Sequence, residues 1–374
     1  MKRFMPSRKH SEYIIIATGG TGGHLFPALA IGEKLKEKRK DLKILFVGGA
    51  RPKFLQIFRK KGLSFKEMSV VPFPSSFSSW LKFPFLLTCV LFQSLLILLR
   101  FRPAVVVGMG GAASGPLLLT ASFLRIPALI QEQNILPGLT TKILSHFVVE
   151  IDLGFEETKK YLSGKNLIVT GNPLRKQILK RKKETALQHL GLLPKAFTIL
   201  LLGGSSGAHS LNLAAIVALD DLEKEKDILQ IIHLTGEADY KRVKRIHQKS
   251  RIKSVVLPFA ERIEDAYAAA DLVIARAGAI TISEITSRGL PAILIPYPYA
   301  KARHQEINAQ YLQRKKAAFL IRDEELSGPR LAGEVLSLLK DRKGLTEMSE
   351  NSKVLAKPGA TERVAERILK YVRG

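Results

Sequence analysis

The 374-residue sequence has a single cysteine, Cys89. That excludes an internal disulfide and, with no cleavable signal-like segment at its start, points to the reducing cytosol. Acidic residues are scarce, 33 against 59 lysines and arginines, for a net charge of +26. Over residues 1–170 there are 24 basic residues and 10 acidic ones. Such an excess attracts anionic partners such as nucleic acid, acidic lipid or phosphate-bearing substrates, without choosing among them. The basic runs Arg175–Lys183 and Lys241–Lys253 contain almost no aromatic side chains. They therefore read as solvated helix faces, and nucleic acid is disfavoured as a partner. No H-x-x-x-H or cysteine cluster occurs, so no metal site is argued and no cofactor is expected. A P-loop is also missing, because Gly164-Lys165 is followed by Asn166.

Long apolar runs are limited to Phe83–Leu99, at the lower edge of what spans a bilayer, with Pro84 near its start and Arg100 and Arg102 just after it. A buried or interfacial helix fits it better than a span. Apolar side chains ringed by cations describe a surface that docks on anionic lipid; a plain core helix is the other reading, and both hold if only one face is exposed.

The chain is long enough for two or three domains and is 46% hydrophobic. Short β-branched runs alternate with helical patterns, which predicts an α/β chain with parallel sheets. One strand series is predicted at Tyr13–Thr18, Lys43–Val47, Ala104–Gly108 and Pro127–Gln131. A second is predicted at Phe197–Leu202, Ile228–Leu234, Lys253–Leu257, Asp271–Ala275 and Pro291–Ile295. Each series opens with an apolar strand, a small-residue loop (Gly19–Gly23, then Gly203–Gly207) and a helix. AVVVGMGGAASGP and DLVIARAGAITIS echo each other in the same way. Two doubly wound domains are expected, residues 1–175 and 176–358, with 359–374 a final helix that crosses back to the first.

A glycine loop between strand and helix turns backbone N–H groups and the positive end of the helix dipole toward an anion. A nicotinamide cofactor is unsuited to the first loop. G-x-G-x-x from Gly20 is followed by Leu25, and no acid ends the second strand at Gly48-Gly49. His24 follows this loop, where the helix dipole favours the neutral imidazole of a base; a histidine that merely bonds the loop is the plain alternative. Glu132, in the polar run Gln131-Glu132-Gln133-Asn134, is an alternative base. His209, in the matching second loop, reads as structural. Glu284 suits a ribose diol, or a capping box with Thr281. Arg175 is placed to bond a phosphate in a cleft between domains, or simply begins the basic run. Gln305 and its polar neighbours suit sugar hydroxyls.

Taken in order, GGTGGHLFPALA, GMGGAASGP, QEQNILPGLTTK, TGNPLR, LLGGSSGAHSLN, RAGAITISEI and PYPYAKARHQEINA resemble the MurG family. These are bacterial N-acetylglucosaminyltransferases of the last cytoplasmic step of peptidoglycan precursor synthesis. The resemblance covers nearly the whole chain from Tyr13. It implies a GT-B fold, two Rossmann-like doubly wound parallel-sheet domains facing a cleft. The second would hold UDP-N-acetylglucosamine and the first lipid I, undecaprenyl-pyrophosphoryl-N-acetylmuramoyl-pentapeptide, at the cytoplasmic face of the inner membrane. Carried over by motif, Thr21, Gly22 and Gly23 form the first loop, while Asn134, Arg175 and Ser205 contact the donor's sugar or diphosphate. Ala260 reads uracil, Ala279, Ile280, Thr281, Ile282, Ser283 and Glu284 line the donor site with Glu284 on the ribose, and Gln305 meets the sugar. The chain departs from the family at Met109, Ala112, Thr141 and Ala277, mostly on the acceptor side. Another UDP-sugar enzyme of this fold, a diacylglycerol glycosyltransferase or an epimerase, is the alternative, and a non-enzymatic lipid- or nucleic-acid-binding protein a third.

Overall fold

The computed structural model describes residues 13–49, 52–71, 74, 76–111, 114–164, 166–204 and 207–372. It divides into two compact units, one of Met1–Pro173 with Gly359–Gly374, the other Leu174–Pro358. The first unit carries strands β1 (Tyr13–Ala17), β2 (Lys43–Gly48), β3 (Ser64–Glu67), β4 (Val105–Gly108), β5 (Ala128–Glu132), β6 (Glu150–Leu153) and β7 (Leu167–Val169). They pair in parallel in the order β3-β2-β1-β4-β5-β6-β7.

Strand β1 shows why the sheet is covered on both faces. Ile14 and Ile16 enter one core with Leu25, Ala28 and Leu35 of the helix Gly22–Lys38. Ile15 and Ala17 enter the opposite core with Val90, Ile97, Leu117 and Leu118. Neighbouring residues on a strand point to opposite faces, so burial on both demands a continuous apolar run. The helix Ala360–Leu369 joins the first core through Val364, Ala365 and Ile368. Lys34 and Lys38 pair with its Glu362, and Arg363 donates to the Thr170 carbonyl at 2.7 Å.

The second unit repeats the plan with β8 (Phe197–Leu202), β9 (Leu229–Leu234), β10 (Lys253–Leu257), β11 (Leu272–Ala275), β12 (Ala292–Leu294) and β13 (Phe319–Leu320). Their order is β10-β9-β8-β11-β12-β13, again parallel. Ile199 and Leu201 pack on Leu211, Ala215 and Leu219 of the helix His209–Leu222 and on Leu331 and Val335 of Gly328–Lys340. In each unit the order reverses beside the central strand, between β1 and β4 and between β8 and β11. Open parallel sheets bind ligands outside the carboxyl ends at such a point. Strands β3, β6, β7 and β13 were not in the sequence-read series. They have two to four residues, and β3 and β6 (SFKE, EIDL) lack a continuous apolar run.

The apolar segment forms a longer helix than its hydropathy suggests, Phe77–Phe101, started by a reciprocal Ser76–Ser79 capping box. It packs through Val90, Ser94, Ile97 and Leu98. The other side carries Phe77, Leu81, Phe85, Phe92, Leu96 and Leu99, all more than half exposed. One face is thus core and the other exposed, the case in which both readings of this segment hold. By length and composition it could cross a membrane.

Candidate active site

At the carboxyl edge of the first sheet, β1 runs into the loop that opens the helix Gly22–Lys38. Thr21 is its N-cap and Gly22 and Gly23 its first residues, whose N–H groups have no carbonyl one turn back within the helix. His24 is third in the helix. Its ring lies between Gly19 and the turn Gly110-Gly111 that follows β4. A Cβ on Gly19 would come 3.0 Å from His24 Cδ2, and one on Gly111 3.6 Å from Nε2. Gly110 and Gly111 have φ of 77° and 78°, left-handed values that side chains strain to adopt. These glycines keep the space around the imidazole open. The other ring nitrogen, Nδ1, lies 2.9 Å from Gln133 Oε1.

Glu132 is differently placed. Its buried carboxylate accepts from Asn134 N at 3.0 Å, Gly138 N at 3.3 Å and Thr141 Oγ1 at 2.6 Å. Both oxygens hold the loop after β5 together, which suits an anchor better than a base. The family departure at Thr141 supplies one of these donors. Asn134 belongs to the same knot, its carbonyl accepting from Thr158 Oγ1 at 3.0 Å. Ala112 lies outside the described residues.

In the second unit, β8 leads into Gly203-Gly204, and Gly204 and Gly207 both have positive φ. Ser205 lies outside the described residues. A Cβ on Gly207 would meet the Thr235 carbonyl at 2.4 Å, so this loop presses on the end of β9. His209, which opens the following helix, is exposed and places Nδ1 2.9 Å from Asp239 Oδ1. A residue the motifs did not single out organises this edge. Buried Arg276 donates to the Ile295 carbonyl at 3.2 Å, to Ser210 Oγ at 2.7 Å and to Asp323 Oδ1 at 2.5 Å. From just after β11 it ties the start of the helix His209–Leu222 and the segments after β12 and β13 to one guanidinium.

The helix Ala279–Arg288 follows Gly278, its N-cap, so residues 279–284 are its first six. Glu284 lies too far along to form the capping box its spacing with Thr281 suggested, and it turns into the unit instead. Arg175 Nη2 lies 3.7 Å from Glu284 Oε1, and the fully buried Tyr267 reaches in beside them. Burial pushes the Glu284 carboxyl above its ordinary range, with Arg175 and then Tyr267 holding it back in part. Gln305 Oε1 accepts from Tyr297 N at 3.0 Å, and Arg276 lies over the Tyr297 ring. Ala260 is half-buried in the loop beyond β10. The structure thus gathers Thr21, Gly22, Gly23 and His24 in one unit, and Arg175 with Glu284 in the other. Sequence reading gave no role to Gln133, Arg276 or Tyr267; Gln133 had a signal in the polar run after an apolar strand and Arg276 in opening the RAGAITISEI motif, while Tyr267 had none.

Two glycine-loop α/β units with this sheet topology define a protein of the GT-B fold class. Models of the glycosyltransferase family 28 N-terminal and C-terminal domains match residues 14–151 and 198–364. The chain is 40% identical to the UDP-N-acetylglucosamine–N-acetylmuramyl-(pentapeptide) pyrophosphoryl-undecaprenol N-acetylglucosamine transferase of Halothermothrix orenii, over 93% of this chain and 95% of that one. It is 41% identical to the Thermodesulfovibrio yellowstonii protein of the same name, over 94% and 97%. The crystal structure of Acinetobacter baumannii MurG superposes with a TM-score of 0.74 at 27% identity, covering 96% of this chain and 99% of that one. The chain belongs to the MurG family of glycosyltransferase family 28.

Proposed function

We propose that this chain moves N-acetylglucosamine from UDP-N-acetylglucosamine to the 4-hydroxyl of the N-acetylmuramoyl group of lipid I, with His24 as base and the second unit holding the donor. Family membership supports the reaction, and the bare glycine surround of His24 supports the base. As the hydroxyl oxygen bonds the anomeric carbon, His24 Nε2 takes its proton. The bond to the diphosphate breaks with its electron pair leaving on UDP. A single displacement inverts the anomeric carbon from α to β. Charge developing on the departing diphosphate calls for cationic and amide donors. Arg175, Ser205 and the loop at Gly203–Gly207 are assigned to it, with Glu284 on the ribose, Ala260 on uracil and Gln305 on the sugar. Asn134 is assigned to the sugar, and Glu132 to anchoring the loop that carries it.

The exposed face of the helix Phe77–Phe101 supports peripheral attachment to an anionic membrane at its cytoplasmic side, which would bring the first unit to its lipid-linked acceptor. Transfer of labelled N-acetylglucosamine to a lipid I analogue tests the reading. His24→Ala is expected to slow turnover by roughly a hundredfold or more at unchanged fold. An unchanged rate would remove His24 from the chemistry, and no transfer to a well-presented acceptor would refute the substrate assignment.

A further inference from the structure

Behind His24 lies a chain of three buried side-chain amides, Gln133, Gln131 and Asn172. Gln133 Nε2 is 2.7 Å from the backbone carbonyl oxygen of Gln131, an atom that can only accept. This makes that end of the amide the donor and leaves Oε1 toward His24 Nδ1. The far end of the chain is pinned in the same way. Asn172 Nδ2 donates to the Gln133 carbonyl at 3.0 Å, so its Oδ1 accepts from Gln131 Nε2 at 3.2 Å. Gln131 Oε1 then takes the second hydrogen of Gln133 Nε2. Turning over any one amide would set oxygen against oxygen or N–H against N–H in a buried place, at a cost of about 1–3 kcal/mol for each group left unsatisfied.

An amide oxygen cannot donate, so the hydrogen between Gln133 and His24 belongs to His24 Nδ1. We infer that Gln133 is a positioning residue that, held by Gln131 and Asn172, locks His24 as the Nδ1–H tautomer and leaves the Nε2 lone pair facing the Gly110-Gly111 turn. The inference rests on the reading of His24 as base and adds which nitrogen acts and what selects it. The hydrogen bond made by one ring nitrogen sets the state of the other. Because Nδ1–H donates to Gln133 both before and after Nε2 takes a proton, the amide chain need not rearrange during the reaction. A neutral amide also orients the ring without placing a full negative charge against it.

Nitrogen-15 NMR of full-length protein labelled at its histidines tests this, with the His24 signals assigned by difference from His24→Ala. The Nδ1–H pattern is expected; an Nε2–H pattern in the unmodified protein would overturn the inference, whatever the kinetics. Gln133→Leu should shift the His24 signals toward the Nε2–H form and lower kcat by roughly ten- to hundredfold. KM for UDP-N-acetylglucosamine should stay within about twofold, because no tautomer change reaches the donor's binding groups. In the His24→Ala background the same substitution should cost nothing further. An equal loss there would make Gln133 a general structural residue and refute the positioning role. If His24→Ala itself leaves the rate unchanged, the base assignment fails, and the tautomer spectrum still decides the amide chain's effect on the ring.

Discussion

Replacing Arg175 with methionine removes the cation 3.7 Å from the buried Glu284 carboxylate while keeping most of the side-chain bulk. Deleting one partner of a buried ion pair costs about 3–5 kcal/mol when the survivor stays charged. Arg175 keeps 19% of its side chain exposed and Glu284 10%, which places the expected loss nearer about 2 kcal/mol after discounting for solvent. The loss has a direction in pH. Burial already raises the Glu284 carboxyl, and removing Arg175 takes away the largest influence holding it down. A carboxyl raised above its unfolded value stabilises the fold while protonated, and that contribution is lost as pH rises through the folded value. The deficit of Arg175→Met should therefore grow in urea unfolding as pH rises from the ordinary carboxylate range toward pH 8. Adding Glu284→Gln removes the stranded charge and should restore most of the stability at pH 8. It should not restore donor binding: KM for UDP-N-acetylglucosamine should remain at least about tenfold raised, since the groups proposed for the diphosphate and the ribose are both gone. A double variant with native KM would show the pair to be structural only. A deficit independent of pH would refute the electrostatic account.

Two further outcomes follow from the rest of the structure. Burial, and for His233 the neighbouring His247, hold His233 near about 3 and His247 near about 4. Both stay neutral in the fold while the unfolded chain protonates below about 6.5, so stability is full above that pH and falls as pH drops. Between pH 6.5 and 4 the slope should approach roughly 3 kcal/mol per pH unit for two protons, and His247→Asn should about halve it; an unchanged slope would show that the pair does not govern acid unfolding. On the helix Phe77–Phe101, replacing Phe77, Leu81 and Phe85 together by aspartate should lower partition onto anionic vesicles by about a hundredfold or more, each apolar side chain being worth about 1.5–3 kcal/mol when buried. Because all three are at least 71% exposed, the melting temperature should hardly move. Equal vesicle binding would refute the docking face.

The two-sheet α/β plan was legible because β8 and all of β1 beyond Tyr13 are buried and must be almost wholly apolar, and because each strand-to-helix turn needs small residues. Short local rules of this kind leave their mark on neighbouring positions in the chain. The edge strands β3, β7 and β13 have little to bury, so composition did not reveal them. The candidate site followed the same division. His24, Arg175, Glu284 and Gln305 stood out through their motifs, and the loop positions 21–23 and 279–284 through their glycines and helix starts.

By itself the sequence determined the repeated strand-loop-helix architecture, the family and the kinds of side chain at each loop, because backbone geometry and apolar burial act over a few residues. Tertiary structure alone decided that Glu132 is saturated by its own loop, that Arg276 joins the His209–Leu222 helix to the segments after β12 and β13, and that Gln133 faces His24. Hydrogen bonds between residues 41 or 109 positions apart, such as Gln131 with Asn172 and His24 with Gln133, have no local spacing to betray them. Only the folded sheet brings those partners within reach, and only their mutual donor and acceptor limits fix which way each one points.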